Sequence, residues 1–206
     1  RNRPGCATLE DICMVAGGLN EAGEVLKSVE IIYISSKSSK MANNMLKPRA
    51  HFHLIVLGKT ILAIGHENET SIEVWENIGD TWKVAPASLN DSRRNFSPLV
   101  SSDLICLESS PTVPAVNLTR QYSNPGAILL IGGKDSSSTG LSSVETISND
   151  NSFSTPNLPE ARYDHGSFLT DWGAPAVCGG SWIGKPWSSD CLVLNSTSNQ
   201  WKRGVL

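Results

Sequence analysis

Apolar residues in this chain come in short runs that alternate with polar ones at a period of two, and turn residues cut each run off before it reaches helix length. Near the first third of the chain this pattern predicts four consecutive strands, His51–Leu57, Thr60–Ile64, Ser71–Trp75 and Thr81–Val84. The second of them closes in Gly65-His66, and three further apolar runs close in glycine doublets at Gly17-Gly18, Gly132-Gly133 and Gly179-Gly180. From first glycine to first glycine the steps are 48, 67 and 47 residues, so a unit of about 47 residues recurs with about 20 extra residues in one copy. Strand periodicity at that repeat length predicts an all-β array of four-stranded sheets rather than a helical array.

Other landmarks keep the same register. An arginine precedes the doublets by 16 or 17 residues at Arg1, Arg49 and Arg162, while Arg94, next to Arg93, precedes the third by 38. The extra residues therefore belong to the third copy, within the Ser- and Pro-containing stretch 101–126, and the units read as 1–48, 49–93, 94–161 and 162–206. After each doublet comes a polar loop and then a β-branched residue with glutamate, at Val29-Glu30, Ile72-Glu73 and Val144-Glu145; the fourth copy has Cys191-Leu192 instead. A large apolar residue and a tryptophan then stand seven apart, Trp75 with Trp82 and Leu194 with Trp201.

A strand closing in Gly-Gly, followed by such an aromatic–tryptophan pair, resembles the kelch repeat, and the resemblance runs through the whole chain. It implies an all-β, kelch-type β-propeller of which four four-stranded blades are present. A propeller of this kind has six or seven blades, which makes the chain a partial propeller cut at blade boundaries. Physical reasoning agrees. A lone four-stranded sheet cannot bury both faces, so blades must stack. Gly17, Gly18, Gly65, Gly132, Gly133, Gly179 and Gly180 permit positive φ and close backbone approach, while Trp75, Trp82 and Trp201 serve as core wedges. Four stacked blades leave two faces without a neighbour, which predicts a marginal or self-associating molecule.

Charge narrows the partners. With 17 basic and 20 acidic residues and a net charge of −3, no basic cluster exceeds Arg93-Arg94, so nucleic acid is not expected. The longest aliphatic stretches, such as Ile128–Ile131, are far short of the ~20 residues of a membrane helix, so membrane insertion is not expected. Five cysteines and the glycosylation patterns at Asn68, Asn90, Asn117 and Asn195 bear on compartment; a fifth, at Asn95, is compromised by Pro98. Cys178 precedes a doublet and Cys191 opens the next strand, so antiparallel neighbours can bring them within disulfide distance. This arrangement looks like that of secreted invertebrate kelch-type proteins, and the reading leans to an extracellular disulfide-bonded glycoprotein. Buried thiols in a cytosolic propeller stand as the alternative. Cys6 and Cys13 flank a hairpin turn and could pair similarly, which leaves Cys106 odd.

Catalytic signatures are absent. No Gly-x-Ser-x-Gly elbow or His-Glu-x-x-His occurs, and Gly132-Gly133-Lys134-Asp135 lacks the other parts of a phosphate loop. His51 and His53 would share a strand face, but no second cluster completes a metal site, so neither metal nor cofactor is expected. His165 reads as a packing residue. Meander topology gathers the loops Leu19–Ser28, Lys134–Ser143 and Ser181–Ser189 at one end with the arginine segments, and the insertion at the other. Kelch proteins that bind acidic peptides carry arginines on that first end. The resemblance thus implies Arg49, Arg93, Arg94 and Arg162, with Tyr163, as contacts for a protein or peptide partner; the alternative is that each arginine caps the carbonyls of its own blade. The expected function is a non-catalytic interaction module. Two alternatives remain: the substrate-recognition part of a ubiquitin-ligase adaptor, and a propeller enzyme of the copper radical oxidase or sialic-acid epimerase type.

Overall fold

The computed structural model describes residues 1–101, 127–147, 152–182, 187–195 and 197–204. They form sixteen strands in four antiparallel sheets, consistent with kelch propeller blades. The first sheet holds β1 (Gly5–Leu9), β2 (Ile12–Ala16), β3 (Val29–Tyr33) and β4 (Ser38–Ala42). The second holds β5 (His53–Leu57), β6 (Thr60–Ile64), β7 (Ser71–Trp75) and β8 (Lys83–Ser88). The third holds β9 (Ser97–Ser101), β10 (Ala127–Ile131), β11 (Val144–Ile147) and β12 (Ser152–Thr155). The fourth holds β13 (Gly166–Leu169), β14 (Pro175–Cys178), β15 (Cys191–Asn195) and β16 (Gln200–Gly204). Each is a meander in chain order. The expected insertion falls between β9 and β10, and from residue 102 to 126 it lies outside the described residues, as do Cys106 and Asn117 within it.

Two predicted strands are displaced for identifiable reasons. β5 starts at His53 because His51 sits in the left-handed region at φ 55°, which ends the extended run; His51 and His53 therefore do not share a strand face. β8 starts after Trp82 and runs on through Pro86 to Ser88. Proline is tolerated there because β8 is an edge strand, with one side that donates to no neighbour.

The chain divides into two compact units, Arg1–Arg94 and Asn95–Leu206. In the first, the face of the second sheet that carries Leu54, Ile61, Ala63 and Trp75 packs on the face of the first sheet that carries Ile12, Met14, Val29 and Ile31. Trp82 enters the same core and its Nε1 donates to the Asn43 carbonyl beyond β4 at 3.2 Å. In the second unit Val177, Leu192, Leu194 and Trp201 of the fourth sheet pack on Leu99, Leu129, Ile131 and Val144 of the third, and Trp201 Nε1 donates to the Pro156 carbonyl at 2.9 Å. The tryptophan at the start of a fourth strand is thus anchored to the exit of the preceding sheet in both units. Its counterpart in the first sheet, by strand register, is the hydroxyl residue Ser39.

The fourth sheet is cross-linked. Cys178 and Cys191 face each other across β14 and β15 and form a disulfide, with Cα atoms 4.1 Å apart. Cys6 and Cys13 do not pair. Register places Cys6 opposite Val15 and Cys13 opposite Thr8, so the two cysteines stand on one face as a diagonal pair. A diagonal separation of about 7–8 Å exceeds what a disulfide spans.

Candidate functional site: the glycine-doublet loop ends

At the end of each unit where second strands turn into third strands, one bonding scheme recurs. Arg1 Nη1 donates to the carbonyls of Gly17 and Ser28 at 3.2 and 2.7 Å. Arg49 reaches Gly65 O at 2.8 Å and Ser71 O at 2.9 Å, and Arg162 reaches Gly179 O at 2.8 Å and Asp190 O at 3.3 Å. Each of these three guanidinium groups so clasps the first doublet glycine to the residue at or just before the start of the third strand. The arginine's own carbonyl is in turn taken by the second doublet position of the preceding sheet, Gly18 N–H to Arg49 O at 2.8 Å and Gly133 N–H to Arg162 O at 2.8 Å. Glycine is required here. Gly17 and Gly132 hold φ of 59° and 58°, and a Cβ on either would overlap the arginine carbonyl oxygen of the following copy.

This scheme corrects the arginine assignments. His66 N–H donates to Arg93 O at 3.0 Å, and two residues later Asn95 has φ 55°, matching His51 at 55°, Asp164 at 54° and Arg3 at 55°. Arg93, not Arg94, therefore occupies the position of Arg49 and Arg162. Arg49, Arg93 and Arg162 are fully buried, so their guanidinium groups are withdrawn from solvent. The carbonyl-capping alternative describes Arg49 and Arg162. Arg94 is half-buried and its Nη2 lies 3.3 Å from Glu67.

Electrostatics inside the scheme differ between sheets. In the second, buried Glu73 accepts from the Leu46 and Lys47 amides and from Arg49 Nε, at 2.6, 3.2 and 3.1 Å. In the fourth, strand register puts Leu192 at the Glu73 position, and Asp190 supplies the carboxylate, 3.1 Å from Arg162 Nη1. Among the described residues Arg162 Nε and Nη2 then have no hydrogen-bond partner, and the Trp182 ring lies 5.0 Å from the guanidinium carbon. Burial opposes ionisation of Asp190, but bonds from Ser188 and Arg162 outweigh it and hold the carboxyl below its usual range. His165 packs between doublets, close to where Gly132 and Gly180 would carry a Cβ. Burial and the neighbouring Arg162 charge push its pKa down to about 4, so the ring is neutral at pH 7.

The loops above this framework are pre-formed. Leu19 bridges Val25 and Lys134 bridges Gly140, and Asn20 and Asp135 side chains accept amides within their own turns. Tyr163 pairs through its backbone with Ser181, and its half-buried ring lies 3.8 Å from Lys134 Nζ. Trp187, in the fourth doublet loop, is 73% exposed, with φ 56° and its amide 3.4 Å from Ser181 Oγ. Trp182 and Trp187 were not singled out from the sequence, and Lys134 was named only as a loop end and within a rejected phosphate-loop pattern. Two tryptophans within a polar doublet loop were the available signal. Among the described residues no three His, Cys, Asp or Glu side chains gather as metal ligands, and no helix is long and apolar enough to cross a membrane.

Comparison with known proteins agrees with the strand pattern. No family model matches the chain. An 84-residue stretch, 39% of the chain, is 34% identical to the kelch repeat and BTB domain-containing protein 2 of Ectromelia virus (strain Moscow), and the match takes in 15% of that protein's length. The likeness is distant and partial, and it falls on a protein named for the repeat that the glycine doublets resemble.

Proposed function

We propose that the chain is a non-catalytic protein-interaction module of the kelch type, which binds a protein or peptide at its doublet-loop ends. One observation carries this reading: the same left-handed turn follows the arginine in each copy, with the guanidinium clasp beside it at Arg1, Arg49 and Arg162, while the residues in the turn differ, as Asn2-Arg3, Ala50-His51, Arg94-Asn95 and Tyr163-Asp164. Ala50 is buried, the others are exposed or half-buried, and a rigid frame that carries varied accessible side chains is how scaffold proteins present binding residues. Trp187 is the anchor this reading favours, with Tyr163 and Lys134 of the same unit as further contacts. Trp172, equally exposed in the β13–β14 turn, marks the opposite end and serves as the control. In quantitative capture from the native source, proteins retained by the wild type and by Trp172→Ala should be lost by Trp187→Ala. Losses confined to Trp172→Ala would overturn the assignment of the face.

The match to a kelch repeat and BTB domain-containing protein favours a second reading, in which the region recognises clients for a ubiquitin-ligase adaptor whose other domain lies elsewhere in the polypeptide. Compartment separates the two. The Cys178–Cys191 bridge supports an oxidising, extracellular setting. Peptide mapping of native protein without reductant should then find the linked peptide and glycan on exposed Asn68 or Asn90. Free thiols at both cysteines with bare asparagines would favour the adaptor.

A further inference from the structure

The disulfide stands at a cross-strand position that other sheets fill without a covalent bond. By register, Cys178 and Cys191 match Ala16 and Val29 in the first sheet and Ile131 and Val144 in the third, which are fully buried, whereas both cysteines are only half-buried. One residue further on, Glu30, Glu73 and Glu145 of the first three sheets give way to Leu192. Glu73 ties its strand to the exit of the preceding sheet through the Leu46 and Lys47 amides. Pro159 stands three residues before Arg162, as Leu46 stands before Arg49, and has no amide proton to offer. The fourth sheet has therefore lost the carboxylate and one of its donors. Asp190 holds the start of β15 instead: its carbonyl accepts from Arg162 and from the Gly179 amide, at 3.3 and 3.1 Å, and its carboxylate accepts from Arg162 at 3.1 Å. The next residue in the chain is Cys191.

We propose that Cys178–Cys191 is a redox latch on the fourth doublet loop: the bridge keeps Asp190 on Arg162 and Trp187 in place, and reduction by a dithiol oxidoreductase releases them. That release weakens partner binding rests on the reading of Trp187 as the anchor; the latch itself does not. Two backbone bonds close the loop alike in three copies, Gly17 N–H to Ser28 O with Leu26 N–H to Gly18 O, Gly132 to Ser143 with Leu141 to Gly133, and Gly179 to Asp190 with Ser188 to Gly180. Of these three loops only the last has a covalent bond at its base. In the reaction a thiolate of the dithiol attacks one cysteine sulfur, a mixed disulfide forms, and the second thiol of the dithiol displaces the protein. The two cysteines gain two electrons and two protons, and the dithiol leaves as a disulfide. Partial exposure of both cysteines admits the attacking sulfur. Once the bond is cut, the segment between them regains the freedom that closure removed, while the pairings of Ala176 with Val193 and Val177 with Leu192 keep the sheet, so the opening is local.

The experiment is residue-resolved amide exchange of the 206-residue chain with and without dithiothreitol. Reduction should speed exchange at Gly179 and Ser188 about tenfold and leave the matching amides of Gly132 and Leu141 unchanged. Cys178→Ala/Cys191→Val, which copies the pair of the first sheet, should exchange like the reduced wild type in either condition. Should that variant unfold, its Gly132 and Leu141 amides will show it, and oxidised against reduced wild type decides alone. Equal rates at Gly179 and Ser188 after verified reduction would overturn the proposal, as would equal acceleration at Gly132 and Leu141, which is general loosening. Capture from the native source, run without reductant, addresses binding: the double variant should lose the proteins that Trp187→Ala loses. If it keeps them, control of binding by the latch is overturned and the reading of the face stands. If Trp187→Ala keeps them too, that reading falls, and the exchange rates decide the latch.

Discussion

A Cβ at position 132 would run into the carbonyl oxygen of Arg162, whereas one at position 23, where φ is also positive, would meet nothing within 4 Å. Left-handed backbone alone costs a non-glycine residue about 1–3 kcal/mol. Gly132→Ala should therefore destabilise by clearly more than Gly23→Ala, and denaturant midpoints of the two variants check the difference. His165 gives a second expectation. Its unfolded pKa of 6.5 drops to about 4 in the fold, so the unfolded chain binds more protons between those values. The stability it contributes is full above pH 6.5 and falls as pH drops through that window, by about 3 kcal/mol in all. Phe52 and Phe96 occupy the same position relative to Arg49 and Arg93, so His165→Phe should flatten this acid limb in urea titrations between pH 4 and 7. An unchanged slope would mean that the imidazole is already charged in the fold.

Between elements, the tryptophans join sheet to sheet. Trp82→Ala and Trp201→Ala should each cost about 3–5 kcal/mol in denaturant titration, the loss expected for truncating a core aromatic. Values under about 1 kcal/mol at both would remove them from the interfaces. The fourth sheet replaces the buried Glu73 arrangement with Leu192, and its Cys178–Cys191 bridge spans 13 residues. Closing a loop of that size restricts the unfolded chain by about 3 kcal/mol in the entropic account. Reductant should lower the melting temperature of the wild type and leave a Cys178→Ser/Cys191→Ser variant unmoved.

Across the whole chain, amide exchange should be slowest in β2, β3, β6 and β10, which are paired on both sides, and fastest in β4, whose residues are exposed except for half-buried Ala42. The four-sheet plan was legible in the sequence because glycine doublets close successive short apolar runs, and Thr60–Ile64, a run buried on both faces, and Ser71–Trp75 stand where that pattern puts them. Two things were hidden. A left-handed residue such as His51 or Asp164 carries no glycine to announce it. Burial of Arg49 and Arg162 depends on carbonyl acceptors 16 and 17 residues away, whose orientation no local pattern reveals, so their part in holding the frame was not readable from the chain.

That frame has a consequence for how such a chain can change over generations. The clasp uses an arginine side chain, backbone carbonyls and glycine; it asks a left-handed backbone of the second residue after the arginine but no particular side chain. Within this one molecule those positions already hold Asn2-Arg3, Ala50-His51, Arg94-Asn95 and Tyr163-Asp164 on equivalent backbone. Repetition has therefore separated inheritance of the fold from inheritance of specificity: one copy can explore new surface chemistry by single substitutions while the other copies keep the old, and neither needs a compensating change in the core.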